Sequence, residues 1–265
     1  MQKKLNREEA LLRRLRQTGS ISLGEAMQLF AISEATARRL FSALEESGEA
    51  LRCYGGIRLA TASEGYSFPK REQESREEKT RIGALAASLV ESGDAIYLDS
   101  GTTILQMALA LNERIFAGAF QNLRIFTNSI ANITALTPSL QVKVILLGGE
   151  YCMERRDFSG SLTEGYLEPF HFDKCFLGAD GVTLDAGFCS DLASISGLNA
   201  RVMRQSGHSF ALLSSEKFGR SALMSYAKIG SMQSIVADRA PEQPYVDAWH
   251  ESGTRLYTAD RLSAK

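Results

Sequence analysis

Two sets of residues in this chain are of types, and at spacings, that could do chemistry. The first set follows short apolar runs. Asp99-Ser100-Gly101-Thr102-Thr103 comes after the run 95–98, Asn128-Ser129 after 123–127, and Gly148-Gly149 after 142–147. Gly178-Ala179-Asp180-Gly181 comes after 174–177, and Ser214-Ser215-Glu216-Lys217 after 210–213. Small hydroxyl residues and glycine let backbone amides converge, and a helix starting there favours a phosphate. Lys217 is a candidate partner for that phosphate; the competing reading is a surface lysine. One such turn alone is equally a plain helix cap. Several in one domain suggest a pocket for a small, anionic, hydroxyl-rich molecule. The second set is basic. Ser33, Thr36, Arg38 and Arg39 open one segment, and Arg52, Tyr54, Gly55 and Gly56 follow it. Such residues at a helix start and a tight turn can reach base edges and phosphates.

The elements that must position these residues can be read locally. Ser33 is a good N-cap, and Glu34 lies where the helix dipole favours an anion. Ala37, Leu40, Phe41 and Leu44 make one apolar stripe behind Arg38 and Arg39. Gly48 is expected to stop that helix. Residues 50–54 and 57–59 read as two strands joined at Gly55-Gly56. Upstream, residues 7–17 and 23–30 form helices, the second capped by Ser22. The order is helix, helix, turn, helix, wing. For the segment 32–56 alone, an amphipathic surface helix with solvated charges is the competing reading.

Charge is divided unevenly. The first 60 residues hold ten Lys/Arg against seven Glu, a net of +3; the rest must then carry −4 to give the total of −1. That fits a small DNA-binding domain (1–60) on a neutral to acidic partner domain. Residues 61–80 are charged, with one Pro and one Gly, and read as an exposed linker. From 81 to 265 the expectation is an α/β domain. A helix over 77–90 precedes strands at 95–98, 123–127, 142–147, 174–177, 210–213 and 234–237. These alternate with helices at 103–111, 129–136, 161–166 and 198–205. Continuous apolar strands between helices imply a mostly parallel sheet covered on both faces. Ligands of such sheets bind at the carboxyl ends of the strands. In the tail, 247–251 could end a helix and 256–257 could close the sheet.

Several classes are expected to be excluded. No apolar run approaches the ~20 residues of a membrane span, and no apolar stretch follows the charged N-terminus, so a cytoplasmic protein is expected. The cysteines (53, 152, 175, 189) and histidines (171, 208, 250) are scattered without metal spacing. No metal, cofactor or catalytic residue is expected.

Residues 7–59 resemble the winged helix-turn-helix of the DeoR family of bacterial transcriptional regulators. The resemblance rests on Ser33, Thr36-Ala37-Arg38-Arg39-Leu40-Phe41, Leu44-Glu45 and Tyr54-Gly55-Gly56. Phe68, Arg71 and Lys79 match a linker pattern of that family. Asp99 to Thr103, Thr127-Asn128-Ser129, Leu147-Gly148-Gly149, Phe158-Ser159-Gly160, Asp173 to Gly181 and Lys217-Phe218-Gly219 extend the resemblance over roughly 7–240. It implies a sensor domain similar to ribose-5-phosphate isomerase, with a phosphorylated sugar or related metabolite as effector. It further implies operator DNA as partner, repression of a carbohydrate uptake or catabolism operon, and a homo-oligomer (dimer or tetramer).

The chain departs from the pattern in places. Leu40 stands where the family carries Asp, Thr183 and Ser214 stand where Asp is usual, and Glu216 replaces a small residue. The stretch Ala193-Ser194-Ile195-Ser196-Gly197 lacks the acids expected there. A sugar-phosphate isomerase with an added DNA-binding domain is the alternative function. Isomerisation needs an acid/base carboxylate, and these departures argue against it.

Overall fold

The computed structural model describes residues 2–47, 49–53, 55–59 and 66–260. Gly48, Tyr54 and residues 61–65, to which the sequence assigned a helix stop, a DNA contact and the start of a linker, lie outside them. The chain forms two units, Met1–Arg71 and Glu72–Lys265.

In the first unit α1 (Gln2–Thr18), β1 (Ser20–Ser22), α2 (Leu23–Phe30), α3 (Glu34–Glu46), β2 (Ala50–Cys53) and β3 (Gly56–Leu59) follow in order. The strands form an antiparallel sheet, β1-β3-β2. β1 lies where the sequence pattern shows only a turn and a cap, and it is completed by pairing with β3. Ser22 caps α2 as expected: its hydroxyl accepts from Glu25 N, and Glu25 Oε2 accepts from Ser22 N at 2.7 Å. The apolar stripe of α3 is buried with Leu11, Leu15, Ile21, Ala26, Ala50 and Ile57. Leu40 belongs to that core, which gives the departure from the family Asp a packing role.

The second unit begins within α4 (Phe68–Gln73) and runs into α5 (Arg76–Ser88). Half of the expected linker is therefore helical, and Ser75 separates the two helices at φ +48°. Next come β4 (Ala95–Leu98), α6 (Thr102–Phe116), β5 (Leu123–Thr127), α7 (Ile130–Ala135) and β6 (Val142–Leu146). A hairpin, β7 (Glu150–Cys152) and β8 (Asp157–Ser159), leads to α8 (Ser161–Leu167) and β9 (Phe172–Leu177). Then follow β10 (Gly181–Thr183), β11 (Gly187–Ser190), α9 (Ala193–Arg204), β12 (Ser206–Leu213), β13 (Met224–Ala227), β14 (Ser234–Ala237), α10 (Gln243–Ser252) and β15 (Arg255–Thr258).

Seven strands form one parallel sheet, ordered β15-β14-β12-β9-β4-β5-β6. Side chains alternate across it, as the period of a strand requires. Ile96, Leu98, Phe176, Phe210, Leu212 and Val236 enter one apolar layer with α5 and α6. Ala95, Tyr97, Cys175, Leu177, Ala211, Leu213 and Ile235 enter the other with α8, α9 and α10. Both tail readings hold: α10 carries buried Trp249, and β15 pairs with β14. A small antiparallel sheet, β10-β11-β13, was not expected. No described helix is long and apolar enough to cross a membrane.

Candidate DNA-reading helix and strand-end site

The first unit presents the start of α3. Ser33 Oγ accepts from Thr36 N at 3.4 Å and lies 3.0 Å from Thr36 Oγ1, so both hydroxyls are engaged in the cap. Arg38 and Arg39 are exposed. Arg38 donates to Glu34 through Nε at 2.8 Å and sits 2.7 Å from it through Nη2. Arg39 leans on Ala35 O at 3.4 Å. Arg52 turns back onto α3, donating to Ser42 Oγ at 3.0 Å. Arg38, Arg52, Gly55 and Gly56 share one crevice with Leu23, Phe41 and Cys53. Gly56 has a second duty: a Cβ there would lie 2.5 Å from Ile21 O. It lets β3 approach β1, while Gly55 takes the left-handed turn at φ +78°.

In the second unit the carboxyl ends of the strands converge on Asp99. Its carboxylate accepts from Ser100 N at 2.7 Å, Gly178 N at 3.0 Å and Asn199 Nδ2 at 3.0 Å. Asn132 Nδ2 donates to its backbone oxygen at 2.8 Å. Ser100 Oγ donates to Asp157 Oδ2 at 2.6 Å, and Arg155 Nε donates to the same oxygen at 3.1 Å. Asp180 accepts from Ser190 Oγ and Asp191 N, each at 3.0 Å. Among the expected residues Asp99, Ser100, Thr102, Asn128, Ser129, Asp180 and Lys217 are buried. Gly101, Thr103, Gly148 and Gly149 are half-exposed.

These residues do unlike things. Gly101 (φ +101°) feeds α6, whose first residues are Thr102 and Thr103. Asn128 is spent within the fold: Tyr97 Oη donates to it, and it donates to Phe158 O. Ser129 caps α7 through Asn132 N. Gly148 O accepts from Thr163 Oγ1, and a Cβ on Gly149 would strike that same hydroxyl. Lys217 Nζ lies 3.8 Å from Glu216 Oε1. Glu216 in turn accepts from Ser75 Oγ at 2.9 Å and Ser214 Oγ at 3.3 Å. Thr183 shapes the β10–β11 turn by accepting from Ala186 N.

The sequence reading missed Asn132, Arg155, Asp157, Ser190 and Asn199. Asp157 directly precedes Phe158-Ser159-Gly160, the one signal that could have found it. The others become visible only when the strand ends meet.

The electrostatics divide the three acids. Burial pushes Asp99 up to about 6, against the donors Gly178, Ser100 and Asn199 and the charge of Arg155. Burial also raises Asp157, with Arg155 opposing. For Asp180 burial acts upward too, but Arg155, Asp191 N, Ser190 and Lys217 outweigh it and hold the carboxyl below its ordinary value. Asn132 Oδ1, Asp157 Oδ1 and Asn199 Oδ1 are buried and accept no hydrogen bond from described residues. Each such group costs about 1–3 kcal/mol. No described group of three His, Cys, Asp or Glu could hold a metal ion.

Two family models match the chain, "DeoR-like helix-turn-helix domain" over residues 7–63 and "DeoR C terminal sensor domain" over 74–239. The chain is similar to the HTH-type transcriptional regulator IolR of Bacillus subtilis (strain 168), 28% identical over 91% of this chain and 94% of that protein. It is similar to the lactose phosphotransferase system repressor of Lactococcus lactis subsp. lactis, 30% identical over 96% and 98%. It is also similar to the glycerol-3-phosphate regulon repressor of Escherichia coli (strain K12), 28% identical over 90% and 92%. Among solved structures, ribose 5-phosphate isomerase A of Methanocaldococcus jannaschii is 16% identical at TM-score 0.40, covering 55% of each chain. The probable sor operon regulator of Shigella flexneri is 12% identical at TM-score 0.41, covering 72% of this chain and 89% of that one.

Proposed function

The chain belongs to the DeoR family of DNA-binding transcriptional regulators, and on that premise we propose that it represses a carbohydrate uptake or catabolism operon under control of a phosphorylated sugar. The observation that carries the reading is the strand-end cluster around Asp99, at the edge of a parallel sheet where such folds bind ligands. Relatives named for lactose phosphotransferase and glycerol-3-phosphate support the effector class. Ser33, Thr36, Arg38, Arg39, Arg52, Tyr54, Gly55 and Gly56 are the proposed operator contacts. Asp99 to Thr103, Asn128, Ser129, Gly148, Gly149, Asp180 and Lys217 are the proposed effector residues.

The mechanism is a population shift. A homo-oligomer held by its second units offers two wings to repeated half-sites. Effector binding favours one arrangement of the segment joining the units and so changes DNA affinity. The test is selection of DNA from a random library by the purified protein, then titration of the selected site with and without sugar phosphates. A selected palindrome or direct repeat, released by one phosphorylated sugar, is expected. Failure to enrich any sequence overturns the reading. An aldose–ketose interconversion that Asp180→Asn abolishes would instead favour an isomerase.

A further inference from the structure

The strand-end cluster has a chemical bias that narrows its ligand. Asp99, Asp157 and Asp180 are all at least nine-tenths buried, and two buried amides join them, Asn132 and Asn199. Both amides are fixed in orientation. Asn132 Nδ2 donates to Asp99 O and to Thr127 Oγ1, and Asn199 Nδ2 donates to Asp99 Oδ2. Turning Asn199 over would set oxygen against carboxylate oxygen, and turning Asn132 over would set oxygen against the Asp99 carbonyl. Their Oδ1 atoms therefore stand beside Asp99 with no donor, and Asp157 Oδ1 has none either. Every unmet group here is an acceptor, so the site lacks donors.

No described cation hydrogen-bonds to the Asp99 carboxylate, and the charge of Arg155 acts on it only through space. The groups that donate to its carboxylate are two backbone amides and one side-chain amide, all neutral. Arg155 donates to Asp157. A ligand hydroxyl brings one donor and no charge. An ammonium brings three donors and a charge in direct contact with the carboxylate.

We infer that the effector is an amino sugar, whose protonated amine seats beside Asp99 and donates to it and to the free oxygens of Asn132 and Asn199. The inference rests on reading the strand ends as the effector pocket. The elevated Asp99 carboxyl is consistent with it: a cation seated there would draw that carboxyl down again.

Thermal unfolding of the full-length protein tests it, at about pH 7, where a sugar amine is largely protonated. The probes are glucosamine 6-phosphate and galactosamine 6-phosphate, their parent hexose 6-phosphates, and their N-acetyl derivatives. The expected result is half-maximal stabilisation at a concentration at least about tenfold lower for one amine than for its parent. Its N-acetyl derivative, which keeps the nitrogen but loses the charge, should behave like the parent. Asn199→Lys supplies an internal ammonium at the same place and should erase the preference. Asp99→Asn removes the partner charge and should erase it too, which keeps a result in hand if the lysine variant does not fold. Equal or tighter binding of a parent sugar overturns the inference and leaves the pocket reading intact. Retention of the amine preference in either folded variant also overturns it. No stabilisation by any probe overturns the pocket reading, and the inference with it.

Discussion

At the scale of single residues, the start of α3 is exposed and lightly restrained. The Arg38–Glu34 pair is exposed on both sides and spaced i, i+4. Such a pair is worth about 0.3–0.5 kcal/mol, so DNA can take Arg38 from it cheaply. Arg38→Ala and Arg39→Ala should each weaken operator affinity by about 1–3 kcal/mol if the residue reads a base. If it meets a phosphate, the loss should be the same on all sequences and the salt dependence shallower. Titrations at two salt concentrations, on specific and random DNA, separate these cases; unchanged affinity in both variants moves recognition to the wing. Ser33, Thr36 and the two arginines were legible because cap and stripe are local patterns. The role of Gly56 was not, because its neighbour Ile21 lies 35 positions earlier. Leu40 was legible as apolar, yet only the assembled core shows why an aspartate would be costly there.

At the scale of elements, legibility followed the length of apolar runs. The strands of the parallel sheet are continuous runs such as Ala95–Leu98 and Leu123–Thr127, and their pattern survives without context. β1, β7, β8 and β10 have three residues each, with glycine, serine or a charge among them, too short for a period to register. They form because a partner strand completes them. The helix α4 was hidden by its composition, Phe-Pro-Lys-Arg-Glu-Gln, which reads as a solvated segment. Packing between elements was hidden as well. Gly83 of α5 faces α6 so closely that a Cβ would lie 2.5 Å from the Gln106 carbonyl carbon and 2.6 Å from Met107 N. These are backbone atoms and cannot turn aside. Gly83→Ala should therefore lower stability by about 1–3 kcal/mol or more, although alanine is the better helix former. Urea unfolding followed by circular dichroism checks this. A gain in stability would mean that the α5–α6 contact is looser than it stands here.

At the scale of the whole molecule, the buried acids make stability depend on pH, and the sign follows from Asp99. Its folded carboxyl is raised to about 6 by burial, while the unfolded chain titrates near the ordinary 3.8. Between those values the folded state holds more protons, so stability falls as pH rises through the window. The full cost, on the order of 3 kcal/mol, is present above about pH 7 and absent below about pH 4. Asp180 and Glu216, whose carboxyls are lowered, act in the opposite sense and lose their contribution as pH falls. A bare pH profile therefore mixes the two. A difference profile isolates Asp99, because Asp99→Asn leaves the other acids in place. The variant keeps one of the two oxygens, so either Ser100 N or the pair Gly178 N and Asn199 Nδ2 loses its acceptor, a cost that does not vary with pH. Relative to the parent protein it should therefore look worst near pH 4 and gain steadily toward pH 7. Denaturant melts of both proteins at several pH values measure that difference. A flat difference would show that Asp99 keeps an ordinary carboxyl in the fold, with water or a counter-ion already beside it.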